Sequence, residues 1–447
     1  MGMLTYLIRI APYVFYCIGI AAMIVSLFRI EWGILFLIPI LPLDIILNKI
    51  HVFPLGKDFI DILLIALIIG WFLRAIVNKE SLLGGSFLNI LILFLIIYTF
   101  YSLYNGNDYL KDYSLLDINN PRLQTWKNYI ILPLICLIVL NNIREKKHLK
   151  WLLFLMIAVI FLMGFKFFQS FRLVDKSSFI DAMREHGTFS YLGPNEYSAF
   201  FSHYIFVVLG ILLLIKSKLK RIFLFLTTSF SLYCIIYLFS RGSYLATYLV
   251  FALAGVLRKN LLIIILVITL FFSWHTFLSS SVVERITMTT NENNELDNSA
   301  EMRVQVWKSS MELFNSNRLT GMGFNTFPYL GLPLGDAHNL YVKILVEQGV
   351  VGLFIFLMII LAALFYSWKL YRRARDDLFK GLGLGFFLCT ISLLISNFFG
   401  DRWTYVPLGA YYWAFLGLVV RANIITQKEI QNKNTNTNTK TKKKVSA

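Results

Sequence analysis

The sequence predicts an all-α, polytopic membrane protein with about twelve transmembrane helices, one larger external loop carrying short helices, and a basic tail. Three observations carry this. Hydrophobic residues make up 57% of the 447 residues and charged residues 15%, with a mean hydropathy of +0.67, which excludes a soluble domain of this length. Apolar runs of about 18–20 residues recur along the chain, the length a helix needs to cross a bilayer. These runs do not alternate residue by residue, which excludes a β-barrel. The net charge of +17 has the size of a nucleic-acid signal, but the lysines and arginines cluster between the runs, so topology explains it and no nucleic acid is implied.

The first run, 9–28, lacks a small-residue cleavage site and is expected to remain as a span. The run 32–47 is short and holds Pro39, Pro42 and Asp44, so it reads as an incomplete crossing. Leaving it out gives twelve spans with both chain ends on one side. Runs 58–77, 86–103, 126–141 and 149–170 follow, then 197–215, 221–238, 243–257 and 260–278. After a long polar stretch come 340–367, 381–399 and 404–421. Cys17, Cys136, Cys234 and Cys389 all fall inside apolar runs and read as small core residues, not as a disulfide framework or metal site.

Four connectors are basic: Arg144 to Lys150, Lys216 to Arg221, Arg258 with Lys259, and Lys369 to Lys380. Parity puts all four on one side, which their charge marks as cytoplasmic. Segments 104–125, 171–196 and 279–339 then face outward. The resulting plan has transmembrane helices with two shorter loops over 1–278, an external loop over 279–339, C-terminal helices over 340–421, and a disordered cytoplasmic tail over 422–447.

Within the external loop, Asn291 to Ser299 is acidic and polar, and Ser299 is expected to cap a helix over 300–316 with Met302, Val306, Ser309 and Leu313 on one face. Gly321-Met322-Gly323-Phe324-Asn325 reads as a turn. Pro333 and Gly335 end an irregular segment, and Asp336 is expected to cap a helix whose first turn carries His338. The field of a helix N-terminus disfavours imidazolium, so His338 should stay neutral and able to accept a proton. A lone histidine at a membrane interface is ordinarily a structural residue.

Other residues change that weighting. Ser240-Arg241-Gly242-Ser243 lies in a short turn between apolar runs, where one arginine alone would be an interfacial anchor. Arg303 alone would be a solvated charge, and Arg184 with His186, Gly187 and Gly193-Pro194-Asn195-Glu196 would be a polar turn. Together Arg184, Arg241, Arg303 and His338 share the outer face with no acidic ligand cluster among them. That set suits a dianionic group gripped by guanidinium forks beside a neutral base, and does not suit a metal centre. No metal and no cofactor is expected.

Ser240-Arg241-Gly242-Ser243-Tyr244-Leu245-Ala246, Arg303 before Trp307, Gly321-Met322-Gly323, and His338-Asn339 followed by Gly349 and Gly352 resemble the O-antigen ligase and bacterial polysaccharide polymerase family. Gly187-Thr188-Phe189 through Pro194-Asn195 also looks like that family's preceding loop, so the motifs cover about 184–355. The resemblance implies a GT-C-like membrane glycosyltransferase of the second multi-span architecture, working on the outer face of the bacterial inner membrane in lipopolysaccharide or related envelope biosynthesis. It implies an undecaprenyl-diphosphate-linked glycan as donor, and as acceptor either lipid A–core, for a ligase, or another lipid-linked repeat, for a polymerase. By motif match His338 activates the acceptor hydroxyl, Arg241 and Arg303 bind the diphosphate, and Arg184 is a weaker match for the same role. Ser240, Gly242 and Asn339 support them. Transfer is expected to be metal-independent and inverting.

Two alternatives stay open. A transporter or flippase of lipid-linked glycans would also have many spans and a charge such as Lys166 within one, but should carry midplane polar groups and two similar halves. A polymerase using a carboxylate with a divalent ion would give that role to Asp336.

Overall fold

The computed structural model describes residues 2–111, 114–184, 192–288, 298–332 and 335–445, and among these all regular structure is helical. The first half holds α1 (Gly2–Ser26), α2 (Ile30–Ile40), α3 (Asp44–Ile50), α4 (Phe59–Asn78), α5 (Phe87–Leu110), α6 (Pro121–Asn142) and α7 (Lys146–Phe171). The middle holds α8 (Pro194–Leu212), α9 (Lys218–Tyr237), α10 (Arg241–Arg258), α11 (Leu261–Phe277), α12 (Ser280–Thr287) and α13 (Asn298–Ser316). The chain closes with α14 (Leu340–Arg373), α15 (Asp377–Ser396) and α16 (Val406–Val445). Among the described residues eight helices are long and apolar enough to cross a membrane, or ten if two bent pairs each count once, so this is a multi-pass membrane protein.

The doubtful run at 32–47 is one of the bent pairs: α2 and α3 meet at 112°. Pro42 lies in the break and has no N–H to continue the helix. Even so, α2 runs along α4, with Glu31 paired to Arg74 at 3.1 Å near one end and the Phe36 and Phe59 rings 6.5 Å apart near the other. The second pair, α11 and α12, bends by 107°.

Helix α8 is too polar to count as a span on composition, and its surroundings explain why. Tyr197 through Ile211 are all buried, so protein and not lipid surrounds it. A Cβ on Gly210 would stand 2.4 Å from the Gly385 backbone, which marks a close crossing with α15. Ser202 ties the same crossing together: its carbonyl accepts from Ser392 (2.9 Å) and its hydroxyl from Thr247 of α10 (2.9 Å).

Charge segregates to the two ends of the bundle. Lys146 and Lys150 both pair with Asp376 (3.1 and 2.8 Å), Lys216 approaches Asp377 (3.8 Å), and Arg258 donates to the Tyr371 hydroxyl (3.5 Å). The four basic connectors therefore meet at one end. The candidate site residues lie at the other.

One expectation needs correction here, on α13. Helix α16 is described to Val445, and extending a helix that already exists costs far less than starting one. In α13 Val306 and Ser310 are buried and Leu313 packs partly buried beside them, while Met302 is exposed and Ser309 is only partly covered.

The turn at 321–325 is a structural clamp. It docks on a break in α14, where Gly349 has φ +65°. Met322 and Gly323 donate to the Val346 and Glu347 carbonyls (2.7 and 2.8 Å), and Val350 donates to Arg318 (2.9 Å). Gly323, at φ +113°, leaves room for α5: a Cβ there would lie 2.2 Å from the Gly106 Cα. Gly323→Ala is expected to cost roughly 1–3 kcal/mol through overpacking and backbone strain, read as a lowered unfolding temperature of the purified protein.

Candidate active site

The site is assembled around the connector 335–339, which leads into α14. Asn339, not Asp336, is the helix cap: its side-chain oxygen accepts from the Tyr341 and Val342 N–H groups (3.0 and 3.3 Å). His338 thus precedes the helix instead of sitting in its first turn, in the left-handed region at φ +46°. The Asp336 carboxylate turns to the imidazole, 3.6 Å from Nδ1. Two braces hold the connector. Trp307 of α13 donates to the Ala337 carbonyl (2.8 Å), and the first α14 N–H, from Leu340, bonds the Asn397 carbonyl (2.9 Å).

Packing of Val306 with Met322, Phe327, Ala337 and Val346 seats α13 against this connector. Arg303, one turn before Trp307, is thereby brought within electrostatic reach of His338. Burial lowers the His338 pKa below its ordinary value; Asp336 opposes this, Arg303 and Arg402 add to it, and Glu196 opposes it. The sequence reading reached the same direction through the helix field, whereas the structure gives burial as the larger cause. A histidine used as a base works only when neutral, so a reaction that drew on His338 in this way is expected to fall off at a pH below the ordinary imidazole range. Because Arg303 disfavours the imidazolium, Arg303→Gln is expected to move the acid limb of the residual kcat/KM profile to higher pH. A pH series on both proteins measures this.

Arg241 is the first residue of α10, and Ser240 is its buried cap residue, hydrogen-bonded by the Ser243 hydroxyl (3.2 Å). A cation at a helix N-terminus is opposed by the helix dipole, so an anion beside it relieves both. Arg241 also donates to the Met288 carbonyl (3.4 Å). Gly242 has no side chain where a Cβ would lie 2.9 Å from Phe399, which lets that ring pack on the first turn of α10. Arg184 donates to Asn195 at the start of α8 (2.8 Å) and lies near Arg241. Burial lowers the Arg184 pKa, and Asp181 and Glu196 offset part of that.

The four predicted residues therefore form two groups, Arg184 with Arg241 and Arg303 with His338, and Glu196 is a charged neighbour of both Arg184 and His338. Glu196 is ion-paired to Arg402, a buried residue that the sequence reading missed. Asn397 fixes Arg402 by accepting its backbone N–H (2.9 Å). The neighbouring Asp401 takes Lys343 Nζ (2.9 Å) and the Thr404 hydroxyl (2.6 Å). Burial works against ionisation of Asp401, but Lys343 and Thr404 overcome it and hold the carboxyl below its ordinary value. Charges at 401–402, in a short turn at the outer end of two apolar runs, were the available signal. His186, Gly187, the 187–189 segment, residues 291–297 and Pro333 lie outside the described residues.

No curated protein matches the chain. Residues 223–357, from α9 into α14, match the family model described as O-antigen ligase, a range that holds Arg241, Arg303 and His338 and leaves out Arg184, Glu196 and Arg402; that match supports placing the chain in the O-antigen ligase family.

Proposed function

We propose that this membrane glycan-transfer enzyme moves a glycan from an undecaprenyl-diphosphate carrier onto an acceptor sugar, by inversion and without a metal. The observation that carries the reading is a half-exposed histidine, held below its ordinary pKa beside Arg303 and Arg402, at the same end of the bundle as the Arg184–Arg241 pair, with Glu196 a neighbour of both groups. His338 takes the proton of the acceptor hydroxyl as its oxygen bonds to the anomeric carbon. The bond from that carbon to the diphosphate oxygen breaks, and the electron pair leaves with the lipid diphosphate. Arg241, Arg303 and Arg184 stabilise the charge that gathers on that group, in a water-poor setting where fixed donors act strongly. Ser240 and Gly242 shape the Arg241 turn, and Asn339 holds the helix start behind His338.

In this reading the bundle has the GT-C-like second architecture with about twelve spans, counting helices such as α8 that cross within protein and not lipid. It sits in the bacterial inner membrane, with 279–339 as the periplasmic catalytic segment and the four basic connectors in the cytoplasm. The acceptor is lipid A–core for a ligase or a lipid-linked repeat for a polymerase. Protein in liposomes with a lipid-linked donor and excess EDTA is expected to form the new glycosidic bond. Turnover restored only by added magnesium or manganese would instead give Asp336 a metal role. Movement of the donor across the bilayer with no new bond would make the protein a flippase. For orientation, Leu319→Cys is expected to react with an impermeant maleimide in intact spheroplasts, and Lys428→Cys only after permeabilisation; the reverse pattern would invert the topology.

A further inference from the structure

A cavity of about 310 Å³ lies next to the site, between α5, α6, α14 and the turn at 401–406. Tyr405 borders it and also neighbours Asp336, Arg402 and Glu196, the groups around His338. A second cavity, of about 330 Å³, shares Asn128 and Val406 with the first and continues the path past Lys127 and Asp61. Neither cavity is lined by Arg184, Arg241, Arg303 or His338, so the groove is separate from the arginine half of the site.

Its lining differs in kind from the arginine half. Asn128, Asn325 and Gln348 present planar amides, and Tyr129 and Trp403 present ring surface. The one cation in the first cavity, Lys343, is neutralised by Asp401 at 2.9 Å, so nothing there is left over to balance a phosphate. Lys343 and the carboxylate of Glu347 make the cavity a poor home for a lipid tail. Amides that bond adjacent hydroxyls, beside aromatic faces that cover ring C–H groups, suit a neutral polyhydroxylated ring. The Asn128 side chain is exposed and makes no hydrogen bond among the described residues, so it can serve such a ring directly.

We propose that this cavity is a subsite for the acceptor glycan, seating the sugar next to the one whose hydroxyl faces His338. The proposal rests on the glycan-transfer reading above, and separates the acceptor glycan from the arginines that would hold the donor diphosphate. Asn128→Trp fills the cavity from an exposed position without touching the core. The probe is the oligosaccharide released by mild acid from the host's own surface polysaccharide, used as acceptor with full-length protein in liposomes and as ligand in titration calorimetry.

The expected result is an acceptor KM raised at least about tenfold in Asn128→Trp, equivalent to one lost interaction of about 1.4 kcal/mol, with the donor KM unchanged. Oligosaccharide binding should weaken in parallel, and Asn128→Gln should recover most of both. Unchanged acceptor KM and binding in Asn128→Trp, while the native protein transfers glycan, would overturn the subsite and leave the transfer reading intact. A raised donor KM instead would assign the cavity to the donor's sugars and overturn the acceptor assignment. Oligosaccharide binding that is lost in Asn128→Trp, with no glycosidic bond formed by either protein, would uphold the subsite and remove the transfer reading.

Discussion

His338→Ala abolishes measurable glycan transfer and leaves a folded protein that still binds the lipid-linked donor. Loss of a general base costs roughly 10²–10⁴-fold, enough to reach the background of a liposome assay. The fold should survive because His338 is half-exposed and bears no part of the helix cap, which Asn339 provides while Leu340 remains bonded to Asn397. Position 338 has φ +46°, which strains alanine, so His338→Asn is the matched control: asparagine tolerates that backbone yet cannot act as the base. Both variants should bind donor and fail in transfer. Full transfer by His338→Asn would end the proposed mechanism.

Arg241→Lys is expected to lower kcat/KM roughly 10- to 100-fold, the scale of one or more charge-assisted hydrogen bonds. The ammonium keeps the charge but cannot offer two parallel donors to a diphosphate. Because α10 keeps its length and its Ser240 cap residue, the change tests the grip on the anion and not the helix. Arg258→Lys, at the other end of the same helix and bonded to Tyr371, should leave transfer near the native level. Equal effects from both substitutions would mean that Arg241 serves the membrane interface and not the substrate.

Much of the architecture was legible because a bilayer reads composition directly. Long apolar runs became helices, and basic connectors separated by hundreds of residues met at one end, where Lys146, Lys150 and Asp376 form a shared cluster. The helix cap was misread because Asp336 and Asn339 are both good cap residues. What decided between them was tertiary: the Leu340 N–H finds a partner in Asn397, far along the chain. Arg402 escaped for a related reason, since one arginine in a turn gives no sign that Glu196 will pair with it. The glycines at 321, 323, 349 and 352 were read as part of a family signature; in the fold Gly321 and Gly349 let a loop and a broken helix touch, and Gly323 lets that loop approach α5. α8 was assigned as an ordinary span because its C-terminal half is apolar; the polar residues of its first half were the sign that protein, not lipid, surrounds it.

That last feature sets the order of assembly. Helix α8 is made early, yet its small-residue face closes on Gly385 of α15, and its Tyr204 hydroxyl reaches the Leu408 carbonyl of α16. Until those later helices emerge, a polar helix holding Ser198, Ser202 and His203 faces lipid or must wait at its edge. The nascent chain therefore keeps its middle open until its C-terminal helices arrive. A protein cut short after α11 is expected to be cleared by membrane proteases, not to accumulate as a half-bundle.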